Sequence, residues 1–147
     1  MQTMQLAEIK VSYINQGTQR LKVLHSKAIY EAILPLWSSE TIEYIEESKI
    51  ILLNRANEIL GVYELSKGGI SGTVVDIRII LGVALKCNAS AIVLIHNHPS
   101  GNLQPSEPDN RITRQLRKAC HLLDLVLLDH LIISKEGYYS FADSGTL

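Results

Sequence analysis

Apolar positions along this chain recur with two periods, and the changes between them mark the elements. From Leu6 to Asn15 they alternate loosely (Ile9, Val11, Tyr13), predicting a strand that closes in the turn Asn15-Gln16-Gly17. Ala28, Ile29, Ala32, Ile33 and Leu36 share one face at helical spacing, predicting a helix from Lys27 to about Trp37 with Ser26 as its cap. Pro35 is expected to kink that helix or end it early. Lys49–Asn54 and Ile59–Ser66 read as a hairpin across Arg55-Ala56-Asn57-Glu58. Asp76 caps a helix over Ile77–Lys86 with Ile79, Ile80, Val83 and Ala84 on its apolar face, and Asn88 suits its stop. Ala89–Ile95 is a short apolar block with β-branched residues, the pattern of a strand buried on both faces. A further helix runs from Glu107 to about Leu123, its buried stripe Ile112, Leu116, Ala119, Cys120 and Leu123. Leu125–Ser134 is a strand, and Lys135-Glu136-Gly137 turns the chain into a last one, Tyr138–Phe141. This order predicts an α/β fold of the mixed α+β kind, a mixed β-sheet flanked by helices.

Composition narrows the class. The 147 residues suit one domain with a real core, and 46% hydrophobic content with a net charge of −1 gives no sign of a polyanion-binding surface over the whole domain. Met1–Gln16 carries Glu8 and Lys10 and lacks a leader-like apolar run, and no stretch approaches the ~20 apolar residues that span a bilayer. A cytoplasmic protein with free thiols and no membrane contact is expected. Cys87 and Cys120 form no Cys-x-x-Cys pair, so zinc-ribbon and deaminase chemistries fall away. Adjacent helical residues point apart, so Cys120-His121 is a packing pair rather than a thiol nucleophile with its base. Lys67-Gly68-Gly69-Ile70-Ser71-Gly72-Thr73 lacks the spacing of a phosphate cradle and reads as a flexible loop, or as the border of a substrate groove.

The candidate chemistry follows the buried strand in Ile95-His96-Asn97-His98-Pro99-Ser100-Gly101-Asn102-Leu103-Gln104-Pro105-Ser106-Glu107-Pro108-Asp109. Side chains alternate along an extended segment, so His96 and His98 leave the strand end on one side and Asn97 on the other. Ser106 fits a helix N-cap, with Pro108 in the first turn and Asp109 at the third helical position, facing the returning loop. A His-x-His pair alone also fits surface or hydrogen-bonded histidines. The strand end, the proline-rich loop and the Ser-x-x-Asp beyond it are what favour a metal. Two His and one Asp with a fourth position open is the pattern of a catalytic zinc site, which brings the pKa of its water to about 7. Iron and manganese accept the same donors. Asp129 and His130 fall on opposite faces of their strand; one of them can support a metal ligand from behind, or be satisfied by backbone.

His96-x-His98, seven residues, Ser106, two residues and Asp109 has the spacing of the JAMM signature, and the chain resembles the JAB/MPN-type metalloproteases that carry it. His-Asn-His-Pro-Ser-Gly with Pro105-Ser106 and Asp109, Leu128-Asp129-His130-Leu131-Ile132, and Tyr139-Ser140-Phe141 are similar to the bacterial RadC-like branch, from about Glu46 to the C-terminus. The resemblance implies a cytidine-deaminase-like JAB/MPN architecture, with 46–147 as the metal-binding domain and 1–45 as a strand–helix extension of the same domain. It implies His96, His98 and Asp109 as Zn2+ ligands and Ser106 as the serine that assists at the tetrahedral intermediate. It also implies a Glu before an earlier strand that hydrogen-bonds the metal's water. Glu46 aligns best, Ser48 standing where RadC-like chains carry an aromatic; Glu47 and Glu64 are the alternatives.

Two functions follow as expectations. One is a zinc-dependent metallohydrolase acting on a protein or peptide substrate, a peptidase or isopeptidase in which Glu46 deprotonates the attacking water. The other is a catalytically silent, metal-stabilised module associated with DNA repair or processing. The basic stripe Arg111, Arg114, Arg117 and Lys118 could touch phosphates, but it also reads as a solvated face balanced by nearby acids. RadC-like chains often carry a helix-hairpin-helix segment ahead of the metal domain, and no Gly-rich hairpin of that sort stands in 1–45. Rival His-x-His chemistries do not fit: amidohydrolases need a barrel of roughly 250 residues. The metallo-β-lactamase pattern wants Asp-His where Pro99-Ser100 stand. Homo-oligomerisation is not legible here.

Overall fold

The computed structural model describes residues 5–15, 17, 19–68 and 74–147. Among these the elements are α1 (Ser26–Ile33), a 3-10 turn (Leu34–Leu36), β1 (Glu47–Leu53), β2 (Ile59–Lys67), α2 (Ile77–Lys86), β3 (Ala91–Asn97), α3 (Glu107–Leu122), β4 (Val126–Ile133) and β5 (Tyr138–Ser140). The strands form one five-stranded sheet in the order β2-β1-β3-β4-β5. β3 and β4 run parallel and the other neighbours antiparallel. This is the mixed sheet flanked by helices that the apolar pattern predicts. No described helix is long and apolar enough to cross a membrane.

β1 and β3 are buried along their whole length because both sheet faces are covered. On one face Ile51, Leu53, Val93 and Ile95 pack with Ile29, Ile33 and Trp37. On the other, Ile50, Leu52, Ile92 and Leu94 pack with Ile80 and Ala84 of α2 and with Leu116 and Cys120 of α3. Each large aliphatic chain contributes about 1.5–3 kcal/mol by such burial. Asp76 caps α2, its Oδ1 accepting from the Arg78 amide at 2.9 Å. Asn88 follows α2 with φ at 55°, the left-handed conformation that stops a helix.

Two expectations for the first third of the chain change. Among the described residues 5–15 no strand forms, and Leu6, Ile9, Val11 and Ile14 are exposed. Alternation supplies only one side of a strand; it also needs a backbone partner, and here the Tyr13 hydroxyl merely donates to the Leu60 carbonyl at 2.5 Å. Gln16 of the expected turn, and 69–73 of the glycine-rich stretch, lie outside the described residues. The cap of α1 is His25, whose Nδ1 accepts from the Ala28 amide at 3.1 Å. Ser26 instead gives its hydroxyl to the Asp143 carboxylate and lies 3.2 Å from the Tyr138 hydroxyl, tying α1 to the C-terminal segment. α1 ends at Ile33, short of Trp37, and a 3-10 turn follows at Pro35, the early end expected of that proline.

One irregularity matters for the site. The β3–β4 register steps from Ile92↔Leu127 to Val93↔Asp129, leaving Leu128 as an extra residue on β4. The bulge resets the phase of the strand, so Leu127 and His130 both face α3 while Leu131 and Ile133 join the α1 side.

Candidate metal centre

β1 and β3 pair antiparallel with Ser48 opposite His96. Opposed residues share a face, and every second residue returns to it, so Glu46 comes level with His98 on the face that carries His96. Asp109 reaches the same place from the start of α3. The Ser106 hydroxyl accepts from the Asp109 amide at 3.2 Å, and the Ser106 amide donates to Asp109 Oδ2 at 2.8 Å, a reciprocal capping box. Ser106 and Asp109 thus sit in the helix positions that the sequence assigns to them.

Glu46, His96 and His98 each present one donor atom within 4.8 Å of the others. The His96 and His98 Nε2 atoms are 3.0 Å apart. Asp109 Oδ1 lies 3.2 Å from His96 Nε2, and Oδ2 lies 3.2 Å from His98 Nε2. Glu46 Oε1 is farther from the same nitrogens, at 3.9 and 3.8 Å. Glu47 and Glu64 do not join: Glu47 Oε2 is 3.6 Å from Lys49 Nζ, and Glu64 Oε1 lies 3.7 Å from Lys49 Nζ and 3.2 Å from Lys67 Nζ. A cavity of about 310 Å3 adjoins the cluster, lined by Glu46, His96 and Asp109 with Val75, Leu94, Ile112 and Arg111.

The donor set suits a cation. His98 Nδ1 is 2.6 Å from the Asn102 carbonyl, which can only accept, so that nitrogen holds the hydrogen and a neutral ring turns a bare Nε2 to the cluster. Donors around a tetrahedral zinc, at bond lengths of roughly 2.0–2.1 Å, stand about 3.3 Å apart. The 3.0 and 3.2 Å spacings here are close to that.

The charges agree. Burial pushes the Asp109 carboxyl up, but the His96 and His98 rings against its two oxygens, with the Ser106 amide, outweigh it and hold the group far below the usual carboxylate range. Burial pulls His98 down, yet the bonds to Asp109 and to the Asn102 carbonyl, with the charges of Asp109 and Glu46, leave it raised. The cluster therefore holds a proton on His98 to higher pH than an ordinary histidine would, and an entering cation must displace it. Below the raised His98 value, affinity for zinc is expected to climb about tenfold per pH unit with one proton released per cation, and to level off above it. Calorimetry in buffers of different ionisation enthalpy from about pH 6 to about pH 8 reads this directly. Affinity that does not vary with pH over that range would contradict it.

Two residues that the sequence does not single out hold the site from outside. Asn97, fully buried, uses every polar hydrogen and both acceptor directions of its amide. Its Oδ1 accepts from Trp37 Nε1 at 3.0 Å and from the Glu47 amide at 2.7 Å, and its Nδ2 donates to the Ile42 and Ile45 carbonyls at 2.7 and 2.9 Å. It thereby grips the backbone on both sides of Glu46. Thr113 donates to the Asp109 carbonyl at 2.7 Å and lies 2.6 Å from His130 Nδ1. The only signals for them were a buried amide between two histidines and a threonine four residues past the Asp.

Of Asp129 and His130, it is His130 that reaches a site histidine, with its Nε2 2.9 Å from His96 Nδ1. Burial, with the adjoining His96, holds His130 well below the ordinary histidine range, so the ring is neutral. Asp129 turns away to accept from the Ser140 hydroxyl at 2.6 Å and from the His130 and Ala142 amides at 2.7 and 3.0 Å. Cys120 is buried and its thiol is pushed up to about 11, while His121 is exposed, so the two make no nucleophile and base.

A mixed sheet whose central strand ends in His-x-His, beside a capped helix start carrying Asp and a Glu brought level by the next strand, defines a domain of the JAB type with a possible metal centre. The family model for the RadC-like JAB domain matches residues 23–146, and the chain belongs to that family. Among curated relatives, it is 46% identical to a UPF0758 protein of Flavobacterium johnsoniae over 100 residues, 68% of this chain and 44% of the relative. It is 42% identical to a UPF0758 protein of Porphyromonas gingivalis over 130 residues, 88% of this chain and 56% of the relative. For one of Haemophilus ducreyi the identity is 32% over 136 residues, 92% of this chain and 60% of the relative. The chain thus spans about half the length of the curated relatives it matches.

Proposed function

We propose that this domain is a divalent-metal hydrolase, with zinc as the metal, that cuts peptide or isopeptide amides. The observation that carries the reading is the split in the donor distances. Two rings and Asp109 form a compact set at 3.0–3.2 Å, and Glu46 stands just outside it at 3.8–3.9 Å. His96, His98 and Asp109 would hold the metal, and Glu46 is free of that duty. A bound divalent cation supplies Lewis acidity toward water and toward an amide carbonyl. Glu46 takes the proton of the attacking water on its carboxylate and delivers it to the leaving nitrogen. The Ser106 oxygen accepts from the Asp109 amide, and no acceptor among the described residues takes its hydrogen. That hydrogen is available to a developing oxyanion, a contribution of about 2.7–4 kcal/mol for donors in this role. The adjoining cavity is at the small end of ligand sites, so it suits a short extended segment. Arg111 on its wall favours substrates with a carboxylate near the scissile bond.

The test is metal analysis of the purified protein alongside a cleavage screen of a peptide and isopeptide library. The protein is expected to hold about one equivalent of metal and to cleave a subset of the library. A chelator or His96→Ala should abolish both. Metal-loaded protein that cleaves nothing in such a screen would remove the hydrolase reading.

A further inference from the structure

We infer that Thr113 and His130 are positioning residues that decide which nitrogen of His96 faces the site. The argument follows single hydrogens. The Thr113 hydroxyl has one, and it lies 2.7 Å from the Asp109 carbonyl, an atom that can only accept. That hydrogen spent, the 2.6 Å contact between the Thr113 oxygen and His130 Nδ1 needs its hydrogen from the ring. Were Thr113 to donate to His130 instead, two oxygens would face each other at 2.7 Å with nothing between them. A neutral His130 that carries hydrogen on Nδ1 offers a bare Nε2. The 2.9 Å contact there must then be filled by a hydrogen on His96 Nδ1, and a neutral His96 turns its bare Nε2 to Asp109 and His98.

The chain closes on itself. It starts at the Asp109 backbone and ends 3.2 Å from the Asp109 side chain. Thr113 and His130 are 2% and 0% exposed, so bulk water is not available to supply a missing partner. Phe141 fixes the plane of the His130 ring by stacking at 4.6 Å and 4°. The reversed order of hydrogens would put one on His96 Nε2 and make that atom useless as a ligand. The consequence for metal binding rests on the site proposed above, whereas the order of hydrogens does not.

The test has two readouts. In metal-free, 15N-labelled protein at alkaline pH, long-range proton–nitrogen correlation spectra should show hydrogen on Nδ1 and a bare Nε2 for both His96 and His130. Hydrogen on Nε2 of either ring would overturn the inference. Thr113→Val keeps the shape of the side chain but removes its donor and acceptor, so the two orders compete. Zinc affinity, measured against a chromophoric chelator, is expected to fall about 10–100-fold. Thr113→Ser restores the hydroxyl and should restore affinity to within a factor of about three, which a packing role alone would not predict. Equal affinity in Thr113→Val and the parent protein would also overturn it. A parent protein with the expected hydrogens that binds no divalent metal would leave the relay standing and refute the metal site.

Discussion

Glu46→Gln is expected to leave the metal bound and to slow amide hydrolysis by about 10²–10⁴-fold, the usual contribution of a positioned proton acceptor. The substitution keeps the shape of the side chain and its capacity to hydrogen-bond, and removes its basicity and its negative charge. Because Glu46 Oε1 stands at 3.8 and 3.9 Å from the two ring nitrogens, the compact set of His96, His98 and Asp109 does not need it to hold a cation. Metal content by mass spectrometry and turnover on any peptide found by the library screen are the two measurements. Loss of metal together with turnover would make Glu46 a ligand, consistent with its grouping within 4.8 Å of both histidines, and would close the open position that a hydrolase needs. Turnover unchanged would remove Glu46 from the chemistry.

Asn97→Ala is expected to destabilise the fold by about 3–5 kcal/mol, near the top of the range for single substitutions. The amide satisfies four separate groups, the Trp37 indole, the Glu47 amide and the Ile42 and Ile45 carbonyls, in a place that is 0% exposed. Truncation leaves several of them buried without a partner, each costing about 1–3 kcal/mol before the surroundings relax. The segment that bears Glu46 also loses its anchor, so any surviving folded protein should bind metal yet turn over poorly. Urea unfolding with an unchanged slope and a midpoint shifted toward low urea reads the first effect. A loss below about 1 kcal/mol would show that the segment is held by other contacts.

Much of the centre is legible in the sequence because it lies in one stretch ruled by local geometry. Strand alternation places His96 and His98 together, and the cap positions of α3 orient Asp109 and Ser106 without reference to the rest of the fold. Glu46 is legible only through family likeness, since its place depends on the β1–β3 register across fifty residues. Asn97 and Thr113 leave almost no trace, because each acts through partners that the fold brings near. Leu6–Asn15 has the pattern of a strand but pairs with no sheet edge, which no pattern within the segment can reveal. Ser26 and His25 are both competent caps by chemistry, and the pull of Asp143 on the serine decides between them.

The extra residue in β4 makes the pairing of Leu128, rather than its identity, the feature that matters just ahead of His130. Leu128 itself is only partly buried, and any apolar residue of similar bulk can stand there. Were Leu128 to pair with Val93 as a regular residue of the ladder, the offset between Ile92↔Leu127 and Val93↔Asp129 would vanish and everything downstream would rotate by half a pleat. Asp129 would then take the place behind His96, presenting an acid where the ring now has an imidazole. Removing Leu128 outright would instead leave Val93↔Asp129 and Leu94↔His130 paired and His130 on its present face, so homologous chains should tolerate substitution or loss of this residue but not its entry into the ladder.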